Sequence, residues 1–544
     1  MRRLLSLAAT ALVPLLVLGI FFVLPVWGMV SRGFVTGGHL DVAGVAEVLT
    51  RPEIRRAVWF TLWTSTVATL IACTLGLPAA HVLHRVAIPG RTWIRAVLVV
   101  PFVLPTVVVG VAFELLIGDS GPLGSLGLDA SPVAIVAALV FFNASVVIRV
   151  VGGAWESLDP RAGEAAAALG ASPWQVLRDV TLPALRPAIV SAATVVFLFC
   201  ATAFGIVLTL GGLRYSSVET QIYLLTNTLL DLQAAAALSV LQLVVVVGLL
   251  LVAARARRTP DGTVARTGAR LRPPGRGDLP ALTATALLLA LVVGPLASLV
   301  VGSLRVDGTW SLAGYRALQT PGSQQALLVP VTTAVVNSLR IAVDATWMSL
   351  SLGLAVATIV TRRSHTRAER RLRTAFDGLF MLPLGVSAVT LGFGFLITLG
   401  SPPLDLRDSP LLIPVAQALV ALPLVVRVLV PVLSGVDDRL RQAAATLGAS
   451  PWRALLVVDL PAVWKPLLAA AGFAFACSLG EFGATSFLVR DDRPTLPVVI
   501  FRLISHPGAL NYEMALAASV VLGATTALVM LAVERLRVPR VGSF

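Results

Sequence analysis

Apolar runs of about twenty residues recur along the whole chain, and that run length is the strongest constraint on what it can fold into. A hydrocarbon layer of ~30 Å is crossed by about 20 helical residues. No water is present there to satisfy backbone N–H and C=O groups, so a lone crossing segment must be helical. Twelve runs are placed near residues 7–30, 58–80, 95–118, 132–152, 188–209, 236–254, 281–301, 334–360, 376–399, 411–433, 467–486 and 514–533. With 57% of 544 residues hydrophobic and 13% charged, the chain reads as an all-α membrane protein of about twelve spans. The first run follows Arg2 and Arg3 and lacks an Ala-x-Ala-like cleavage site, so it reads as a retained span and not a signal peptide. Cys73, Cys200 and Cys477 fall inside apolar runs and read as small buried hydrophobes.

The formal charge of +14 is supplied almost entirely by arginine. Concentrated in short loops, such charge sets orientation and gives no ground for a nucleic-acid partner. The groups Arg85, Arg91 and Arg95; Arg255, Arg257, Arg258, Arg266, Arg270, Arg272 and Arg276; Arg362, Arg363, Arg367, Arg370, Arg371 and Arg373; and Arg535, Arg537 and Arg540 share one side if both termini are cytoplasmic. The loop with Asp119 and Asp129 then lies outside, while loops 31–57 and 302–333 carry some arginine against the pattern.

The chain also repeats itself at a spacing of 278 residues. EAAAALGASPW, from Glu164, returns as QAAATLGASPW, from Gln442. Leu104-Pro105 returns as Leu382-Pro383, Arg149 as Arg427, Phe204-Gly205 as Phe482-Gly483, and Ile222-Tyr223 as Ile500-Phe501. A six-span unit is therefore duplicated, with the first repeat at 1–254 and the second at 279–540. An even number of spans per unit makes the repeats parallel, related by an axis along the membrane normal. Residues 255–278, rich in Arg, Gly and Pro, form a polar cytoplasmic linker.

Each copy of the repeated phrase sits between the fourth and fifth spans of its repeat, in loops 156–187 and 434–466. Capping rules make it two short helices around a glycine. Asp159 is the expected N-cap, Pro160 the first helical residue and Gly170 the stop. Ser172 caps the next helix, Pro173 opens it, and Gln175 completes a capping box. That helix is expected to end at Leu182, where Pro183 and Pro187 redirect the chain. The second copy follows the same plan through Gly448, Ser450, Pro451 and Trp452 to Leu460-Pro461. The alanines 165–168 leave a thin surface that either packs on its own bundle or receives a partner, and two copies on one side favour two identical partners. Trp174 and Trp452 fit insertion into a partner or a place at the membrane interface equally well.

The loop resembles the signature of ATP-binding-cassette importer permeases: EAA, three residues, Gly, nine residues, an aliphatic, any residue, then Leu-Pro. Glu164, Ala165, Ala166, Gly170, Val180, Leu182 and Pro183 match it fully. Ala443, Ala444, Gly448, Val458, Leu460 and Pro461 match it with Gln442 in place of the glutamate. The resemblance covers essentially the whole chain and implies a type I, binding-protein-dependent permease in which one chain supplies both halves. It further implies that these loops are coupling helices docked on two copies of a cytoplasmic ATPase. An extracytoplasmic binding protein would deliver the solute in the plasma membrane of a bacterium. The chain has no Walker A pattern and a single lysine, Lys465, so no cofactor is expected here and ATP with Mg would be used by the partner. The Gln442 departure implies two unequal docking sites.

The fused form resembles the thiamine and ferric-iron importers most closely. Residues 207–223 resemble an external segment of thiamine permeases, and 479–488 carry a Gly-acid-Phe-Gly pattern shared by both groups. Thiamine is the leading expectation and ferric iron the alternative, with polyamines, sulfate and phosphonates open. Glu481 and Glu114 are candidates to line the path, since an ionisable group at membrane depth is costly without a function; Glu114 near a span end also fits snorkelling. Asp344 is expected to pair with Arg340. Phe204-Gly205 and Phe482-Gly483 are expected at close helix crossings near the axis, with a gate as the alternative. An ion-coupled secondary transporter is a more distant reading, because the acids are few and unmatched between repeats. The five histidines form no HExxH, and no metal site is expected.

Overall fold

A computed structural model describes residues 11–536 apart from Gly37, Ser120, Leu213, 257–270, Asp307, Arg363, His365 and 401–403. Arg2, Arg3, most of the linker with Arg257, Arg258, Arg266 and Arg270, and Arg363, Arg537 and Arg540 lie outside the described residues. Helices run in the order α1 (Leu24–Phe34), α2 (Pro52–Arg85), α3 (Arg91–Val99), α4 (Thr106–Ile117), α5 (Pro132–Ser157), α6 (Arg161–Ala168), α7 (Leu182–Ala201), α8 (Gly205–Gly211), α9 (Val218–Asn227) and α10 (Leu232–Ala256). The series then recurs as α11 (Leu279–Ser303), α12 (Val331–Thr361), α13 (Arg367–Met381), α14 (Ala388–Thr398), α15 (Leu412–Ser434), α16 (Asp438–Thr446), α17 (Leu460–Leu479), α18 (Thr485–Leu488), α19 (Leu496–Ser505) and α20 (Ala509–Leu536). Each helix of the first ten thus has its counterpart ten labels later. Strand structure among the described residues is limited to two short antiparallel hairpins, Val35–Thr36 with His39–Leu40 and Arg305–Val306 with Thr309–Trp310.

Among the described residues ten segments are long and apolar enough to cross a membrane, and α3 with α4 forms a bent eleventh. The chain is an all-α membrane protein. The third expected span is not one straight helix: Arg91–Val103 and Thr106–Ile117 meet at 110°. Pro105 has no N–H to donate and its ring excludes the carbonyl four residues back, and it forces Leu104 into extended backbone, with ψ 141°. The ninth span is divided at the corresponding place. There α13 passes through the turn Leu382–Gly385, and Ser387 Oγ accepts from Thr390 N at 3.0 Å to cap α14. After each Leu-Pro the chain restarts as a new helix, and the 12 residues of α4 are too few to cross alone.

The fifth and eleventh spans also end early. α7 stops at Ala201 and α17 at Leu479, and the backbone restarts after Phe204 and after Phe482-Gly483. A side chain at Gly205 would meet Thr106 and stand 3.2 Å from Val107 N; at Gly483 it would stand 3.0 Å from Ala388 Cβ and 3.2 Å from Val389 N. Both Phe-Gly glycines therefore admit the first turn of the restarted helix, α4 or α14.

Two compact units form. The smaller comprises Thr50–Gln221 and Val245–Gly302. Its centre is α2 against α5, with α7 across both. Lipid gives helices no hydrophobic reason to associate, so close packing must hold them, and small residues permit it. Ala68, Ala72, Ala79 and Ala80 of α2 are fully buried, and a Cβ at Gly76 would come within 2.8 Å of Val147 Cβ. Leu288 and Val292 of α11 join this core. In the described end of the linker, Arg272 is held by two bonds to Asp278, at 2.6 and 2.8 Å, and lies along the end of α2 through Arg272 N to Arg85 O at 3.1 Å.

The larger unit runs to Leu49, takes in Ile222–Val244 and resumes at Ser303. There α12, α15 and α17 pack mutually, and α1 lies along α14 with the Phe21 and Phe395 rings 6.0 Å apart. The compact units thus cut across the repeat boundaries at 254 and 279: the first helix of each repeat packs with the body of the other. In each unit a hydroxyl caps a short helix in the same way, Thr61 Oγ1 accepting from Val218 N at 2.9 Å and Ser338 Oγ from Leu496 N at 2.7 Å. Gly76→Leu should overpack the α2–α5 seam at ~1–3 kcal/mol. The expected result is a lower thermal midpoint of the purified chain in detergent, with Gly76→Ala intermediate.

Candidate functional site: the paired elbows

The repeated phrase folds alike in both places. Leu169 caps the end of α6, and Gly170 takes φ +90°; Leu447 caps the end of α16, and Gly448 takes φ +81°. Only glycine enters that left-handed region without steric cost. Gly170 N donates to Ala167 O and Ala171 N to Ala166 O, at 3.0 and 3.1 Å. Gly448 N and Ala449 N do the same to Ala445 O and Ala444 O, both at 3.0 Å. Each elbow therefore closes with a Schellman pair that satisfies otherwise orphaned carbonyls.

The next helix opens as its residues indicate. Ser172 N donates to Gln175 Oε1 at 2.7 Å and Gln175 N to Ser172 Oγ at 3.3 Å, a complete capping box. Ser450 Oγ accepts from Arg453 N at 3.3 Å. Asp159 Oδ1 accepts from Arg161 N at 3.0 Å, although Pro160 stands at the capping position itself. The expected stop at Leu182 and Leu460 does not occur. Helix is continuous over Pro173–Ala201 and Trp452–Leu479, and Val176–Thr181 and Leu455–Asp459 are π-turns. Leu182 N reaches Leu177 O and Leu460 N reaches Leu455 O, five residues back. That extra residue lets Pro183 and Pro461 follow without breaking the helix.

The elbows present an apolar, unpaired surface. Leu169 is 90% exposed, Leu447 88%, Trp174 65% and Trp452 69%. Ala165 and Ala443 are exposed beside them, and Glu164 and Gln442 face outward at corresponding places. The two leucines were not singled out by sequence reasoning. Their signal is a large aliphatic directly before the helix-stopping glycine, where a buried anchor is not required by the turn.

Charge treats the two elbows differently. In the second, Arg441 of α16 donates from Nε to Asp459 Oδ1 at 2.8 Å and from Nη1 to Asp438 Oδ1 at 2.6 Å. Its Nη2 donates to Leu433 O at 3.1 Å. Asp459 is buried in the π-turn and also takes Arg362 Nη2, from the end of α12, at 2.6 Å. Burial opposes the charged guanidinium of Arg441, but its hydrogen bonds to Asp459 and Asp438 outweigh this and hold its pKa above the ordinary arginine value. Removing one partner from a buried pair of this kind costs ~3–5 kcal/mol. In the first repeat Arg85 Nη2, from the end of α2, donates to Trp155 O at 2.8 Å and Leu158 O at 3.4 Å, while His84 Nδ1 meets Glu156 at 2.6 Å.

The intramembrane candidates lie on other elements than α6 and α16. The Glu481 carboxylate accepts from Ala484 N at 2.7 Å, Thr485 N at 3.0 Å and the Thr485 hydroxyl, so it caps α18. Gln417, Ser478 and Thr485 join it in one buried polar network. Glu114 lies in α4, with Oε2 buried and no hydrogen-bond partner among the described residues. Asp344 accepts from Trp347 Nε1 at 3.3 Å, and the expected pair with Arg340 is not among the ion pairs of the described residues. Phe482 packs on Phe501 with ring centroids 5.5 Å apart, and Phe204 is buried.

A duplicated, broken-span helical unit with one exposed helix–Gly–helix elbow per copy defines a two-repeat transport permease. The profile of the family described as the binding-protein-dependent transport system inner membrane component matches twice, over residues 72–259 and 349–541, and the chain belongs to that family. It is 27% identical over 522 residues to the thiamine transport system permease protein ThiP of Brucella abortus (strain 2308), covering 93% of this chain and 92% of that one. The ThiP of Escherichia coli (strain K12) is 28% identical over 476 residues, covering 84% and 85%. The ferric transport system permease protein FbpB 1 of Haemophilus influenzae is 25% identical over 511 residues, covering 89% and 78%.

Gly170→Val and Gly448→Val place a β-branched residue in left-handed backbone at ~1–2 kcal/mol each. The Ala171 and Ala449 amides, which close the Schellman pairs, should exchange hydrogen faster in the respective variant. Asparagine at either site should restore most of the protection.

Proposed function

We propose that this chain supplies both transmembrane halves of an ATP-driven importer that takes up thiamine from an extracytoplasmic binding protein. The observation that carries the importer reading is the pair of elbows. Each is a short helix turned by a left-handed glycine into a second helix that runs without interruption into a long span. An element of that kind converts displacement at its exposed face into tilt of the span. Leu169 with Trp174, and Leu447 with Trp452, would seat in two ATPase subunits, and closure of those subunits on ATP would move α7 and α17 together. ATP and Mg belong to that partner, and both termini of this chain lie on its side of a bacterial plasma membrane. The solute reading rests on the full-length similarity to thiamine permeases; ferric iron is the second reading, carried by the ferric relative.

The Glu164 and Gln442 positions make the two docking sites chemically unequal, since only the first offers a carboxylate to the ATPase. The test is uptake into proteoliposomes holding the chain with its ATPase and binding protein. Labelled thiamine should accumulate only with ATP inside, unaffected by excess ferric ion. Competition by ferric ion and not by thiamine would overturn the solute reading, and undiminished uptake without any ATPase would overturn the importer reading. In the same vesicles Glu164→Gln should lower the rate by several-fold, about the worth of one charge-assisted contact, and Gln442→Glu should not; equal, wild-type behaviour of both would remove the inequality.

A further inference from the structure

We infer that the second elbow is a clamped lever and the first a hinged one, with Arg441 and Asp459 as the positioning residues that make the difference. The inference rests on the importer reading above and concerns how each elbow is fastened to the spans, not the Glu164 and Gln442 difference on the docking face.

The two repeats cap the same pair of carbonyls with a guanidinium. Trp155 O and Leu158 O, at the end of α5, correspond to Leu433 O and Val436 O, at the end of α15. In the first repeat Arg85 reaches them from the end of α2, at 2.8 and 3.4 Å. In the second they are taken by Arg441, which belongs to the elbow helix itself, at 3.1 and 3.5 Å. Arg441 then continues to Asp459 on the π-turn that opens α17, and Asp459 to Arg362 at the end of α12. One cluster therefore joins the elbow to the ends of all three helices that form the centre of that unit. Side-chain exposure is 11% for Arg441 and 1% for Asp459, so water and salt screen the tie weakly.

The first elbow has none of this chemistry. The residues standing where Arg441 and Asp459 stand in the repeat are Gly163 and Thr181. The two carbonyls are already occupied by Arg85, and His84 is engaged with Glu156 between α2 and α5. Among the described residues no ion pair leaves α6; the nearest, Arg178 with Asp179 at 3.8 Å, lies within the π-turn and is exposed. What joins α6 to its span is the Gly170 turn and apolar contact, such as Gly163 against Val176. Rotation of α16 must break a guanidinium's bonds to three groups outside that helix, Asp459, Leu433 O and Val436 O, together, whereas rotation of α6 is opposed by no comparable set. A push on the second elbow is delivered to three helices at once, and a push on the first is taken up partly by its turn.

The test uses the whole transporter in proteoliposomes, with solute uptake and phosphate release measured on the same preparation. In Arg441→Gln and in Asp459→Asn the ATP consumed per solute should rise by about fivefold or more, the low end of ordinary coupling energies between sites. Arg441→Lys, which keeps a charge toward Asp459, should recover part of the loss. Arg85→Gln uncaps the matching carbonyls without touching an elbow; it should lower the thermal midpoint while leaving the ratio unchanged. A wild-type ratio in the assembled Arg441→Gln and Asp459→Asn transporters would overturn the inference, and so would an equal rise in Arg85→Gln. Failure of both elbow variants to assemble with the ATPase would assign the cluster to folding and overturn it as well. A wild type without binding-protein-stimulated ATP hydrolysis would instead contradict the importer reading on which the inference stands.

Discussion

A helix in hydrocarbon must close its own backbone hydrogen bonds, and the sequence of this protein prevents that at four matched places. Long spans such as Pro52–Arg85 and Pro132–Ser157 obey the rule and supply the packed bodies of the units. Leu104-Pro105 and Phe204-Gly205 interrupt it, and so do Leu382-Pro383 and Phe482-Gly483. The loose ends are then met by local devices: Ser387 over Thr390 N, or the Glu481 carboxylate over Ala484 N and Thr485 N. Glycine at each Phe-Gly step lets the restarted helix approach closely. The breaks are built twice, at matching places, so they belong to the architecture of the six-span unit.

The elbows show how far duplication constrains geometry and where it leaves freedom. The parts that set shape have been kept: a positive-φ glycine, a Schellman pair, a serine cap and a π-turn before proline in both copies. The parts that set attachment have diverged. A guanidinium donates to carbonyls at the end of α5 and at the end of α15. The chain supplies it from a span in one repeat and from the elbow in the other. The same local requirement, met from two directions, gives two elbows of like form and unlike fastening.

Much of this was legible in the sequence because its causes are local. The spans follow from run length, and the capping box at Ser172 and the stop at Gly170 follow from residues within four positions of each other. Continuity through Pro183 was not legible: proline after a helical stretch ordinarily signals its end, and the π-turn that absorbs it depends on a single shift of hydrogen bonding. The 110° break at Leu104-Pro105 was not legible either, since proline alone does not say how far the chain departs. The packing of α1 with α14 and of α11 with the first repeat joins segments hundreds of residues apart, beyond any periodicity. The Arg441 cluster was hidden for the same reason, its partners lying 18 residues away at Asp459 and, through that carboxylate, 97 residues away at Arg362.

The central claim is that the two elbows are the surfaces through which ATP drives the spans. The most direct measurement is site-directed cross-linking in membranes, with cysteine placed singly at Leu169 and at Leu447 against single cysteines on the surface of the co-expressed ATPase. The account predicts a specific cross-link from each elbow, with a yield that changes when ATP is bound and hydrolysis is blocked. Cross-links absent from both elbows in a complex that is otherwise assembled and active would contradict it.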